Sequence, residues 1–324
     1  MEQIKSMILY SKIEGLIIEV NGKGILEFDG DIQDIIELSI LYTGDEITEL
    51  NSSMIKGMEN LKNLSLQKVY FSSYEGFRSL SKIEYLEIAY SKLEKIPNEF
   101  EEMTLLEDLT IRRSNLSTID WPWIKLDRLN SINLESNAIK TVPSSFYWHK
   151  NLESVSFANN PIKTIDFIGD NNLSKLTHLY LDSTKLRNFP LPIDRLNALK
   201  VLYLYGSEFS EIPTEVLKLA NLKELYFSEN NLSDYEEIPS IKNRSITYLD
   251  LSYCELDKIP RWILSFEGVF ELLLNNNNNI NKLPIWLNEL PVLKCIHLQQ
   301  TLITTSQIKI FKDKYSDRDW MIRV

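Results

Sequence analysis

A period of about 23 residues constrains this chain more than any other feature. Residues 129–143 read Leu-Asn-Ser-Ile-Asn-Leu-Glu-Ser-Asn-Ala-Ile-Lys-Thr-Val-Pro, with apolar residues at positions 1, 4, 6, 11 and 14. Asn137 holds position 9 and Pro143 position 15. Neither an amphipathic helix nor a plain alternating strand has that spacing. Ile132 and Leu134 alternate as in a short strand, then Asn137 bends the chain and apolar residues return on another wall. The same spacing restarts at Leu61, Ile83, Leu106, Leu129, Leu152, Leu176, Leu199, Leu222, Ile246, Val269 and Leu293, at intervals of 22 to 24 residues. One such unit cannot bury its apolar residues alone, so the units must stack against one another. Stacking overrules the two-domain expectation that 324 residues would otherwise raise.

The motif L-x-x-L-x-L-x-x-(N/S/T/C)-x-L resembles the leucine-rich repeat family over residues 61–303. The resemblance implies an α/β leucine-rich repeat solenoid, curved into a horseshoe with a parallel β-sheet on its concave face. Proline after position 14, as at Pro97, Pro143, Pro190, Pro213 and Pro260, is similar to the repeats of cytosolic scaffold proteins and their bacterial counterparts. The expected organisation is one solenoid domain over 1–324: an N-terminal cap at 1–60, eleven repeats at 61–303 and a C-terminal cap at 304–324. A terminal repeat would otherwise expose an apolar face and an unpaired strand edge. Within the first cap, Asn-Gly-Lys-Gly at 21–24 predicts a hairpin, and Ile35-x-x-Leu38-x-Ile40 a degenerate repeat. A short helix is predicted near 51–58. In the last segment Thr304 offers an N-cap, Ile308, Phe311 and Tyr315 follow at helical spacing, and Trp320, Ile322 and Val324 alternate as a strand.

Position 9 carries short polar side chains in most units, among them Ser114, Asn137, Asn160, Asn230 and Asn277, with Val69 a departure. Such a side chain can bond the backbone groups that the bend leaves unpaired. Cys254 occupies position 9 of its unit and Cys295 position 3 of the last. Two cysteines so placed are not the flanking disulfide caps of secreted family members, and with no signal-peptide run at the N-terminus they predict a reduced, cytoplasmic setting. No stretch is long and apolar enough to span a membrane. The formal charge of −11 argues against nucleic acid, which needs clustered Lys and Arg, and fits a basic partner.

The chain offers little chemistry. There is no Gly-rich phosphate loop among its 10 glycines. His149 falls on the convex wall, while His178 and His297 lie five repeats apart, about 25 Å at strand spacing. No shared metal follows from these histidines, and no Ser-His-Asp or Cys-His set is expected to assemble. The reading is a non-catalytic protein without cofactor or metal, monomeric, whose activity is binding.

Residues 3, 5 and 7 of each strand should face the inner curve. Position 5 runs Tyr180, Tyr203 and Tyr226 in consecutive units, with Tyr205, Tyr248 and His178 beside them. Asp182, Glu224 and Asp250 surround the patch, and positions 3, 5 and 7 carry no Lys or Arg between the units at Leu176 and Val269. Exposed tyrosines are usual interface anchors, with large area and little rotamer entropy to lose. These nine residues are therefore the candidate partner-binding site of a scaffold or adaptor. Three alternatives stay open: a ladder that only stabilises the sheet, an inhibitor or recognition subunit that blocks an enzyme or toxin, and a carbohydrate binder. A second, weaker candidate lies at Arg112, Arg113, Asp108, Tyr85 and Tyr90.

Overall fold

The computed structural model describes residues 16–20, 32–43, 47–119, 126–144, 146, 149–165, 173–189, 196–237 and 239–324. They divide near Pro161 into two compact units. The first contains seven strands of parallel sheet: β1 (Leu16–Val20), β2 (Glu37–Tyr42), β3 (Asn63–Gln67), β4 (Tyr85–Ala89), β5 (Asp108–Arg112), β6 (Ser131–Asn133) and β7 (Ser154–Ser156). The second contains seven more: β8 (His178–Tyr180), β9 (Val201–Tyr203), β10 (Glu224–Tyr226), β11 (Tyr248–Asp250), β12 (Glu271–Leu273), β13 (Cys295–His297) and β14 (Met321–Arg323). Within each unit, strands pair in parallel in sequence order, and equivalent repeat positions stand opposite each other, as in Leu202↔Leu225 and Leu225↔Leu249. A repeat of nearly constant length imposes that register, because a slip of one residue would turn the Leu positions to solvent.

Burial follows the repeat. Positions 4 and 6 point into the core, and positions 3 and 5, apart from the buried Glu87, Val201 and Cys295, are half-buried on the solvent face of the sheet, as in the buried Leu225 between Glu224 and Tyr226. The strand then ends abruptly. At position 8 the backbone takes a positive φ in every unit, from Lys68 at 56° through Ser136 at 57° to Gln300 at 58°, and only Gly206 of these is glycine. A left-handed residue with a side chain costs about 1–2 kcal/mol.

The position-9 side chain offsets that cost. Asn160 accepts from Ile139 N–H at 3.1 Å and donates to the carbonyls of Leu134 and Phe157 at 2.8 and 2.9 Å. Asn137 accepts from Ser114 N–H and Leu116 N–H and donates to Ile111 O. Asn230 and Asn277 repeat the pattern in the second unit. Val69 cannot, and there the chain continues as a short strand, Val69–Phe71, paired with Thr48–Leu50. We expect Asn160→Ala to destabilise the protein by about 1–3 kcal/mol, because buried backbone groups lose their partner. The exposed Lys140→Ala should stay within about 0.5 kcal/mol, and equal shifts in urea midpoint for the two would refute the bracing role.

On the wall opposite the strands, several units carry a 3₁₀ turn entered from proline: Pro97 before Asn98–Glu102, Pro260 before Arg261–Ser265 and Pro284 before Ile285–Glu289. Proline's fixed φ suits the first turn, where no N–H donor is needed. Neighbouring turns approach closely at Gly268, where an added Cβ would stand 2.2 Å from Arg244 O.

The predicted turn at 21–24 lies outside the described residues; β1 before it pairs in parallel with β2. Asn51 caps a 3₁₀ helix at Ser52–Ile55. After the last repeat comes an α-helix, α1 (Thr305–Lys314), with a Thr304–Gln307 capping box and with Ile308 and Phe311 buried. Strand β14 pairs with β13 as the last strand of that unit.

Candidate functional site

The second unit brings the predicted tyrosines into a column. Strands β8 to β11 stand in register with Tyr180, Tyr203, Tyr226 and Asp250 at equivalent positions, because position 5 recurs at strand spacing. The Tyr180 and Tyr203 rings stack with centroids 4.7 Å apart, and Tyr203 and Tyr226 at 4.1 Å and 3°. Tyr248, at position 3 of its repeat and first in β11, continues the column 5.0 Å from Tyr226, tilted by 43°. His178 lies parallel to Tyr180 at 6.5 Å, its Nδ1 2.8 Å from Thr177 Oγ1. Tyr205 meets Tyr203 edge to face at 6.4 Å.

Two expectations need correction. The rings are half-buried and not fully exposed, because each face is covered by its neighbour. Asp182 is buried at 4% exposure and presents no carboxylate to solvent. The strands of this unit are three residues long, so position 7 falls in the following turn and not on the sheet face. Glu224 and Asp250 remain half-exposed. Glu224 accepts the Tyr226 hydroxyl at 2.9 Å, and Asp250 accepts Ser252 N–H.

Beyond Tyr248 the face opens into a groove of about 840 Å³, lined by Tyr248, Phe270, Val292, Glu224, Glu267 and Glu271 among others. Phe270 and Val292 are exposed apolar side chains. Glu267 is held by Lys242 and Arg244 at 2.6 and 2.7 Å. The sequence reading missed this groove because its apolar members lie outside the strand positions.

Burial and nearby carboxylates raise the phenols. Burial pushes Tyr248 up to about 12, helped by Asp250, Glu271 and Glu224. Tyr226 is raised by burial, then by its bonds to Tyr203 and Glu224, and Tyr180 by burial and then by Tyr203. A phenol raised above its unfolded value near 10 gives stability that is complete below pH 10 and lost as pH climbs through the folded value. The urea midpoint should therefore hold to about pH 10 and fall between about 10 and 12. Tyr248→Phe should flatten part of that fall; an unchanged slope would contradict it.

The weaker candidate of the first unit is organised around Glu87, which the sequence reading did not name. The Nε and a terminal NH₂ of Arg112 reach Glu87 Oε1 at 3.1 and 2.8 Å. Glu87 is buried and also accepts the Ser65 hydroxyl. Tyr90 lies under the guanidiniums of Arg112 and Arg113 at 5.7 and 5.4 Å. The cluster satisfies itself across β3, β4 and β5.

A further correction concerns the cysteines, both free thiols. Cys254 is a core residue, its Sγ facing Phe227 O and Ser252 O, with burial pushing the thiol up to about 12. Cys295 does form a local Cys-His set, which the sequence reading excluded. Its Sγ lies 3.3 Å from His297 Nε2, and that nitrogen lies 2.7 Å from Glu271 Oε1. Residues i and i+2 of a strand share a face, and Glu271 stands opposite Cys295 in the register. The legible signal is Cys-x-His in a strand with a glutamate at position 3 of the preceding repeat.

Comparisons with known proteins agree with this architecture. Residues 197–256 match the leucine rich repeat family model. A leucine-rich repeat protein of Leptospira interrogans superposes with a TM-score of 0.69 at 22% identity, covering 90% of this chain and 79% of that one. An internalin of Listeria monocytogenes gives 0.69 at 16% identity, covering 96% and 86%. A TLR13–single-stranded RNA complex gives 0.61 at 17% identity, covering 95% and 54%. No curated protein matches the chain in sequence. Residues 197–256 thus carry the leucine-rich repeat pattern, and the fold of the chain is that of leucine-rich repeat solenoids.

Proposed function

We propose that this chain is a binding module that docks a basic protein segment on the solvent face of its second unit. The observation that carries the reading is the column Tyr180–Tyr203–Tyr226–Tyr248, with successive centroids 4.1 to 5.0 Å apart, leading into the acid-rimmed groove at Phe270 and Val292. The leucine-rich repeat fold generally mediates protein–protein interaction, and proteins built on it are typically non-catalytic. Stacking fixes the rings before a partner arrives, so little rotamer entropy is lost on binding. Glu224, Asp250 and Glu271 give the face a negative potential that steers a cationic partner.

The same carboxylates disfavour RNA, although the TLR13 structure holds a single strand, because phosphate binding needs clustered cations. The faces of Tyr203 and Tyr226 are turned to each other, which leaves edges and hydroxyls for hydrogen bonding and removes the platforms on which a sugar ring would stack. A protein is therefore preferred to a carbohydrate, either as a scaffold's partner or as an enzyme or toxin blocked by its binding.

The test is capture of partners with the intact chain at low and high salt, identification by mass spectrometry, and hydrogen exchange of the purified complex. Protection at β8 to β11 and at Phe270, with an association rate that falls as salt rises, supports the reading. Protection confined to the first unit, or binding only to a glycan array, overturns it.

A further inference from the structure

Glu271, Cys295 and His297 place a carboxylate oxygen, a thiol sulfur and an imidazole nitrogen within 4.8 Å of one another. We propose that these three side chains form a binding site for a borderline transition-metal ion of the zinc type, with a fourth coordination position open to the solvent face of the sheet. The site shares Glu271 with the proposed docking face, but the inference does not depend on the tyrosine column.

The donor set is the first reason. Thiolate, imidazole and carboxylate together suit zinc or cobalt and do not suit calcium or magnesium, which take oxygen ligands. Three protein ligands with one open position is a known zinc arrangement.

Geometry is the second. Metal–ligand bonds of about 2.0–2.3 Å in a tetrahedron separate the donors by about 3.4–3.6 Å. Here Sγ–Nε2 is 3.3 Å and Sγ–Oε1 is 3.8 Å. The Nε2–Oε1 separation of 2.7 Å is shorter, a hydrogen bond that a metal replaces as the flexible Glu271 side chain swings by less than about 1 Å.

Rigidity is the third. Cys295 and His297 sit on β13 and Glu271 on β12, paired Glu271↔Cys295 and Leu273↔His297, so the three donors belong to one sheet face and need no loop to fold over them. The Cys295 side chain is buried, which removes competing water from the sulfur.

The local charge also fits. A thiolate and a carboxylate side by side carry two negative charges, which a divalent ion neutralises. Arg323 stands opposite His297 on β14 and brings a positive charge that limits affinity without blocking the face. On binding, the Cys295 S–H bond breaks and its proton goes to buffer, the proton between His297 Nε2 and Glu271 Oε1 leaves that nitrogen so that the neutral ring carries its proton on Nδ1, and the sulfur and Nε2 lone pairs go to the metal. Water fills the fourth position.

Cobalt(II) is the probe, added to the full-length protein under a non-thiol reductant. The expected result is a thiolate-to-cobalt charge-transfer band with tetrahedral d–d bands, saturating at one ion per chain. Zinc should displace cobalt, and magnesium should not. Cys295→Ser should abolish the charge-transfer band, and Cys254→Ser should leave it intact. Because Cys295 is buried, the half-buried Glu271 and His297 provide a second route, through Glu271→Gln and His297→Gln. Each should weaken zinc binding by more than the roughly 10–100-fold that loss of an outer-shell partner costs, with an unchanged melting temperature in metal-free buffer. Absence of the band in the wild type overturns the proposal. So does a band that survives Cys295→Ser, or a zinc affinity indifferent to both Glu271→Gln and His297→Gln.

Discussion

Changing Tyr180, Tyr203 and Tyr226 together to alanine abolishes partner binding and leaves the chain folded: that is the largest effect expected at the proposed site. Each ring is a candidate anchor, and anchors of this kind cost about 2 kcal/mol or more when truncated. Such losses are not additive, but one of the three alone already weakens binding by about 30-fold. The cost to the fold is smaller. The rings lie on the half-exposed face, and what each loses within the free protein is the stacking with its neighbours, about 0.5–1.5 kcal/mol for a pair. A companion variant, Glu224→Gln, should keep most of the affinity and reduce the dependence of the association rate on salt. Calorimetry on the purified complex and a thermal melt of the free variant separate the two quantities. The outcome that sinks the idea is a triple variant that melts early but still holds its partner. The column would then be a device for holding parallel strands together, and the groove at Phe270 and Val292 would become the place to look.

Much of this architecture can be read from residue types, and the parts that cannot have identifiable reasons. Leu at positions 1, 4 and 6 sets the strand and its buried face, because only one register places all of them inward. Asn, Ser or Thr at position 9 marks the bend, because the bonds of Asn160 or Asn230 require a short side chain carrying donor and acceptor. The left-handed residue at position 8 has no such signature. Tyr90, Arg113 and Glu229 all adopt it ahead of a bonding Ser91, Ser114 or Asn230, so the bonds of the next residue hold the conformation against the residue's own preference. The tyrosine column was legible because a constant repeat length converts a recurring position into neighbours in space. The burial of Asp182 was not, because nothing in a repeat motif states where a strand of three residues stops. The Glu271–Cys295–His297 cluster escaped for another reason: Glu271 and Cys295 share position 3 of adjacent repeats, but His297 stands at position 5, and position 5 alone sets it beside Leu273.

The largest loss of folding stability is expected one residue along from the column. Tyr226 and Phe227 are consecutive, so their side chains leave the backbone on opposite faces. Tyr226 ends half-exposed; Phe227 is fully buried, 5.4 Å from the ring of Phe209, which in turn stacks near Phe189 at 6.0 Å. Phe227→Ala removes a ring from a close-packed interior that cannot collapse around the gap, because the backbone on either side is tied into the ladder through Asp250 O and Asn230. The expected cost is about 3–5 kcal/mol, the range for a buried Phe truncated to alanine. Phe227→Leu refills most of the volume and should cost less than about 1.5 kcal/mol. Urea unfolding of both variants, with amide exchange read on β9, β10 and β11, measures the difference. The sheet face is not touched by either change, so Phe227→Leu should bind the partner with unaltered affinity while Tyr226→Ala should not. A Phe227→Ala variant as stable as Tyr226→Ala would mean that the apolar interior does not carry this unit. The stacked tyrosines would then have to supply its stability, and the assignment of one face to folding and the other to recognition would be wrong.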